Sequence, residues 1–242
     1  VDMYINKDTV NINNKELSED NEIEENEYDL LKIRNYCREG NINKIRELYN
    51  RNREINILED IDIYVNICCK NGYIQLLKQL LEWSPDFDIS IDNDYAFTLA
   101  CENGHLHIVK YLLEIKSDID ISTFNDYSFR MACKSGYYDL VKYLLEKKPN
   151  INISAYNEEA FRLACQNGHV NIIKYLKEIK PNININSEKY SAFKIACQNK
   201  HFHVIKQLLE WDSTLLKKIN IYLYSSNETV KYINDLGYNT KY

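Results

Sequence analysis

Six of the seven cysteines, Cys37, Cys69, Cys101, Cys133, Cys165 and Cys197, stand 32 residues apart. A chain that repeats itself at such a period is assembled from copies of one supersecondary unit, each burying its apolar face against the next, and needs no single central core. The register holds well beyond cysteine. Gly40, Gly72, Gly104, Gly136 and Gly168 follow the cysteine by three residues, and Lys200 breaks that column in the sixth copy. Ile33, Val65, Phe97, Phe129, Phe161 and Phe193 precede it by four, and Leu48, Leu80, Leu112, Leu144, Leu176 and Leu208 follow it by eleven.

The third copy, residues 91–122, shows what the unit is. Tyr95 to Glu102 places Phe97, Leu99, Ala100 and Cys101 on one face at helical spacing, and Asn103-Gly104 ends that helix. His105 to Glu114 then carries Leu106, Ile108, Val109, Leu112 and Leu113 on one face of a second helix. Next the apolar period falls to two, in Ile119-Asp120-Ile121, Ile151-Asn152-Ile153 and Ile183-Asn184-Ile185, which predicts an extended, half-buried segment leading into a hairpin turn. Pro85, Pro149 and Pro181 stop the second helices. The small residues Ala96, Ser128, Ala160 and Ala192, with Ala100, Ala132, Ala164 and Ala196, set how closely copies stack. Each unit is therefore read as helix, turn, helix, hairpin.

Composition limits the function classes. No run approaches the roughly 18 apolar residues of a membrane span, and no signal-peptide pattern opens the sequence, so an intracellular, cytoplasmic protein with no membrane partner is expected. Equivalent helices in a stack lie roughly 10 Å apart, beyond the ~7 Å reach of a disulfide, so the cysteines are expected as free, buried filler. Residues 1–29 hold ten acids against Lys7 and Lys15, a balance of −8; with a net charge of −6, the remainder carries +2. The acidic, Asn-rich segment 1–27 is expected to be a mobile leader. It could serve as a solubility tail or lie along the repeats and compete with ligands. The near-neutral repeat body gives no electrostatic case for nucleic acid.

These residues resemble the ankyrin repeat over about 28–218. The matching strings are Leu99-Ala100-Cys101-Glu102-Asn103-Gly104-His105, Leu163 to His169, and the second-helix runs Ile108 to Glu114 and Leu140 to Glu146. The resemblance implies an all-α solenoid of stacked helix-turn-helix units with short β-hairpin loops, a monomer, that binds a partner protein and is no enzyme. Six repeats fill 28–218, the first (28–58) being an amino-terminal cap, and 219–242 form a truncated closing repeat. The family's Thr-Pro-Leu-His opening is replaced by Tyr95-Ala96-Phe97-Thr98 and Tyr127-Ser128-Phe129-Arg130, and the glycine after the second helix by Ser84, Lys116, Lys148 or Lys180. The dialect Phe-Arg-Leu-Ala-Cys with Val-Lys-Tyr-Leu-Leu-Glu, in an Asn- and Ile-rich background, resembles ankyrin proteins of mimivirus-like giant DNA viruses. That would make a host protein the partner and the host cytoplasm the location.

No nucleotide loop, zinc-protease helix or nucleophile elbow occurs, and no cofactor is implied. His105-Leu106-His107 and His201-Phe202-His203 are spaced to point apart on a helix, so no metal site is expected; His105, His169 and His201 are read as satisfying backbone groups locally. Two sets of residues are candidates for partner binding. Family geometry places Thr98, Arg130, Arg162 and Lys194 on the concave side of successive first helices, where the three cations would form a basic ladder. A structural role competes, with Arg130 pairing Asp126 and Arg162 pairing Glu158 or Glu159. The hairpin tips Asp92, Phe124, Tyr156, Glu188 and Lys189 are the second set, because exposed aromatic groups are enriched at binding surfaces. Other roles that the resemblance leaves open are an adaptor recruiting a host protein to a ubiquitin ligase, for which 219–242 is too short to be an F-box-like tail, and a structural virion or assembly component.

Overall fold

The computed structural model describes residues 20–51 and 57–240, in two compact units divided between Glu59 and Asp60. In the first unit α1 (Asp20–Arg38) turns through Gly40, at φ +67°, into α2 (Ile42–Arg51). Ile33, Cys37, Ile45 and Leu48 are buried, as is Asp29, whose carboxylate accepts from Lys32 Nζ at 3.0 Å and from Arg51 at 3.4 Å. α1 begins at Asp20, inside the stretch expected as mobile leader. A Glu-rich run without Gly or Pro has enough helix propensity to extend the helix there. The rest of that expected leader, 1–19, lies outside the described residues.

The second unit is a row of helix pairs: α3 (Ile61–Asn71) and α4 (Ile74–Trp83), α5 (Ile91–Glu102) and α6 (Leu106–Ile115), α7 (Thr123–Ser135) and α8 (Tyr138–Lys147), α9 (Ala155–Gln166) and α10 (Val170–Ile179), α11 (Ser187–Gln198) and α12 (Phe202–Trp211). First helices pack in succession, α3 on α5, α5 on α7, α7 on α9 and α9 on α11. A short α13 (Leu215–Lys218) and a 3-10 turn at Ile221–Leu223 then lead to α14 (Asn227–Asp235), which packs on α12 as a second helix would. Phe97, Phe129, Phe161 and Phe193 are fully enclosed with the neighbouring alanines.

All seven cysteines are free and buried, and burial pushes the thiols of Cys37, Cys69 and Cys197 up to about 12 and those of Cys101, Cys133 and Cys165 further still. The glycine column is needed for two reasons. Gly136 sits at φ +86°, and a Cβ there would stand 2.5 Å from the His169 ring of the next repeat; at Gly104 it would stand 2.5 Å from the Tyr137 ring. Lys200 is held at φ +58° without that relief.

The predicted alternation is present: Ile119, Ile121, Ile151, Ile153, Ile183 and Ile185 point inward, while Asp120, Asn152 and Asn184 face out. The hairpin is not. Among the described residues there is no strand, and three successive left-handed residues open α5, α7, α9 and α11 instead. They are Asp92-Asn93-Asp94, Phe124-Asn125-Asp126, Tyr156-Asn157-Glu158 and Glu188-Lys189-Tyr190, all at φ between +48° and +66°. Such a turn reverses the chain in one step and passes straight into the helix, so no two extended segments run side by side to form a ladder. The loop closes instead by Asp126 N–H donating to Ser122 O at 3.0 Å and its counterparts.

Candidate functional site

Left-handed φ costs a non-glycine residue roughly 1–2 kcal/mol, and two of the four turns are held by arginines from below. Arg130 donates from Nε to Asn125 O at 3.2 Å and from Nη2 to Phe124 O at 3.2 Å. Arg162 repeats this one unit on, to Asn157 O at 2.9 Å and Tyr156 O at 3.0 Å. Arg130 is 7% exposed and pairs through Nη1 with Glu159 of the following repeat. Its guanidinium lies 4.6 Å from the Tyr156 ring centre and 5.5 Å from that of Tyr127. Two expected ion pairs are not formed. Asp126 is not the partner of Arg130, because its carboxylate is committed elsewhere, and Arg162 bonds turn carbonyls and not the hairpin acids. Arg130 and Thr98 are both buried, so neither stands out as a rung of a charged ladder. Lys194 lies 4.8 Å from the Tyr224 ring centre.

A column of buried acids, of which Asp126 and Glu158 were expected to pair with arginines, ties the repeats together instead. Asp94 Oδ2 accepts from Asp120 N–H at 3.2 Å, Asp126 Oδ2 from Asn152 N–H at 3.1 Å, and Glu158 Oε1 from Asn184 N–H at 3.4 Å. Each acid lies seven residues before its cysteine, a periodicity that was available to read. The lysines replacing the family glycine also reach back: Lys116 Nζ lies 3.0 Å from Asp88 Oδ1 and Lys148 Nζ 3.0 Å from Asp120 Oδ1. Asp88, taking bonds from the Ser90 hydroxyl and amide as well as from Lys116, is held down at about 2. The turn histidines do not act locally. Nε2 of His105, His169 and His201 bonds Lys70 O, Lys134 O and Gln166 O, each on the preceding repeat, at 2.8–2.9 Å.

What projects are the turn tips. Phe124 is 61% exposed and Tyr156 55%, with Asp92, Glu188 and Lys189 also exposed. Neighbouring tips are linked side chain to side chain, Asn125 Nδ2 donating to Tyr156 Oη at 2.8 Å and Asn157 Nδ2 to Glu188 Oε1 at 2.6 Å. Tyr127 Oη donates to Glu102 Oε1 at 2.6 Å, which together with burial raises the phenol to about 12. Among the described residues no three His, Cys, Asp or Glu side chains are grouped to hold a metal ion, and no helix is long and apolar enough to cross a membrane.

A row of two-helix units, locked by carboxylates along one seam and by imidazoles along another, with turn tips projecting, defines a helical-repeat scaffold. Residues 65–157 and 129–220 match the family described as ankyrin repeats (3 copies), the two matches being offset by two periods. They span more than half of the sequence, and the chain belongs to the ankyrin-repeat family. The crystal structure of the human ASB11 ankyrin repeat domain is similar in fold, with a TM-score of 0.56 at 22% identity over 74% of this chain and 85% of that one. No curated protein matches. Ankyrin repeats generally mediate protein–protein interaction and are typically non-enzymatic.

Proposed function

We propose that this protein is a non-enzymatic scaffold that binds a partner protein through its turn tips and the concave side of its first helices. The observation that carries this is the pair Phe124 and Tyr156. A tip that only had to reverse the chain would place Asn or Gly at positive φ; here a Phe and a Tyr are kept at φ +53° and +51° with their rings left mostly in water. Strained backbone held by an arginine beneath it, presenting aromatic surface, is the arrangement expected of a contact site. The residue dialect supports placing the protein with the ankyrin proteins of mimivirus-like giant DNA viruses, the partner then being a host protein met in the host cytoplasm. The domain reading that goes with this is six repeats over 28–218, capped by 28–58 and closed by 219–242.

The test compares the wild type with the double variant Phe124→Ala, Tyr156→Ala in crosslinked capture from cell extract, with melting curves alongside. Phe124→Ala removes an exposed ring, whereas Tyr156→Ala also gives up the Arg130 stacking and the Asn125 hydrogen bond, so a modest fall in melting temperature is expected and capture is run well below both melts. Loss of a captured protein supports the reading, and an identical captured set in both rejects it.

A further inference from the structure

The third repeat lacks what the fourth and fifth hold under their turns. Its backbone is the same: Asp92, Asn93 and Asp94 have φ/ψ of 56/42°, 56/53° and 59/35°, against 53/46°, 55/58° and 60/35° for Phe124, Asn125 and Asp126. The Asp92 and Asn93 carbonyls therefore point as those of Phe124 and Asn125 do, which are bonded by Arg130. The residue in register with Arg130 and Arg162 is Thr98, buried and too short to reach the turn, and it instead accepts from Ser128 Oγ at 3.4 Å. Among the described residues no side chain donates to the Asp92 or Asn93 carbonyl.

The walls are also in place. Where Tyr127 and Tyr156 flank the Arg130 guanidinium, the third repeat has Tyr95 and Phe124 in register, 44% and 61% exposed. Asp92 is exposed at this tip and supplies a carboxylate beside it, while the place of Glu159, which pairs with Arg130, is taken here by Tyr127. Three features thus converge: two carbonyl acceptors, two aromatic faces, and an arginine in the two following copies of the same frame.

The geometry points to a docking position for an arginine side chain of the partner protein, seated on the Asp92 and Asn93 carbonyls between Tyr95 and Phe124 as Arg130 is seated in its own repeat. This rests on the reading that the tips face the partner. The planar guanidinium can bond both carbonyls while stacking on both rings, whereas a lysine ammonium is a point charge that cannot do both. The partner is accordingly a protein with an exposed arginine, selected over lysine.

The test uses N-acetyl-arginine amide and N-acetyl-lysine amide, titrated into the isotope-labelled full chain and followed by amide chemical shifts. Saturable shifts centred on Asn93, Asp94, Tyr95 and Phe124 are expected for the arginine probe, with binding roughly tenfold tighter than for lysine. Thr98→Arg should fill the position from within, abolish those shifts and raise the melting temperature. Equal response to both probes, or shifts that persist in Thr98→Arg, overturns the proposal. If Thr98→Arg does not fold, Tyr95→Ala at the surface replaces it: arginine binding should weaken by about threefold, and unchanged binding overturns the proposal. The two readings fail separately. Loss of partner capture in the Phe124→Ala, Tyr156→Ala variant with no response to the arginine probe leaves tip binding standing and removes the arginine position; the reverse pattern does the opposite.

Discussion

Replacing Gly136 by alanine isolates how one repeat is keyed to the next. Gly136 sits at φ +86° and ψ 16°, where a Cβ costs about 1–2 kcal/mol in backbone terms alone. The new methyl would also stand 2.5 Å from His169 Cε1, 2.6 Å from Nδ1 and 3.0 Å from Nε2, distances no carbon tolerates. The ring must leave, and with it goes the 2.9 Å bond from His169 Nε2 to Lys134 O, a further ~0.5–1.5 kcal/mol. The expected cost is therefore about 2–3 kcal/mol. Gly237 supplies the control, because at φ +87° it has nothing within 4 Å of an added Cβ, so Gly237→Ala should cost only the backbone part. Urea melts followed by circular dichroism would measure both. A third arm places Gly136→Ala in a His169→Ala background, where the clash is gone and the cost should fall to the Gly237 value, a coupling of about 1 kcal/mol. Equal costs at 136 and 237, or strict additivity in the cycle, would refute the idea that the glycine column exists to admit the neighbour's ring.

Arg130→Ala leaves Glu159 without its partner and two turn carbonyls without their donor, and should destabilise by about 3 kcal/mol in the same melts; the more exposed Arg162→Ala should cost about 1 kcal/mol. Asp126→Asn should cost ~1–2 kcal/mol, since both carboxylate oxygens accept, from Ser122 Oγ and Asn152 N–H. Asp94→Asn should be neutral or stabilising: Asp94 Oδ1 is buried without a partner, and burial raises its pKa above 3.8, so protonation favours the fold and that contribution is lost as pH rises through the folded value. Comparing stability at pH 3 to 6 for wild type and Asp94→Asn would show a flatter profile in the variant. The cysteines act in the same sense at alkaline pH. Cys37, Cys69 and Cys197 move from 9.0 unfolded to about 12 folded, so their contribution is complete below about pH 9 and lost towards pH 12, and thiol reagents should label the native protein only at its unfolding rate.

The 32-residue period, the two helices per unit, the buried cysteines and the stacking of small residues were all legible in the sequence, because each depends on a residue's spacing within its own copy. The alternating Ile segments were legible too, since one face of an extended run must be buried whatever follows it. Residues that act across copies were harder to read. Asp126 and His169 look like surface polar residues until the next or the preceding repeat is set beside them, and Arg130 looks like an exposed cation until Phe124, Asn125 and Glu159 close over it.

The sequence by itself determined which residues form the helices and that these units stack, since periodic burial is a local property repeated along the chain. Only the tertiary structure decided that the tips are left-handed turns, that arginine lies beneath two of them, and that no side chain among the described residues donates to the Asp92 and Asn93 carbonyls. Those outcomes turn on the direction of individual carbonyls and the reach of individual side chains between neighbouring units, and linear spacing carries neither.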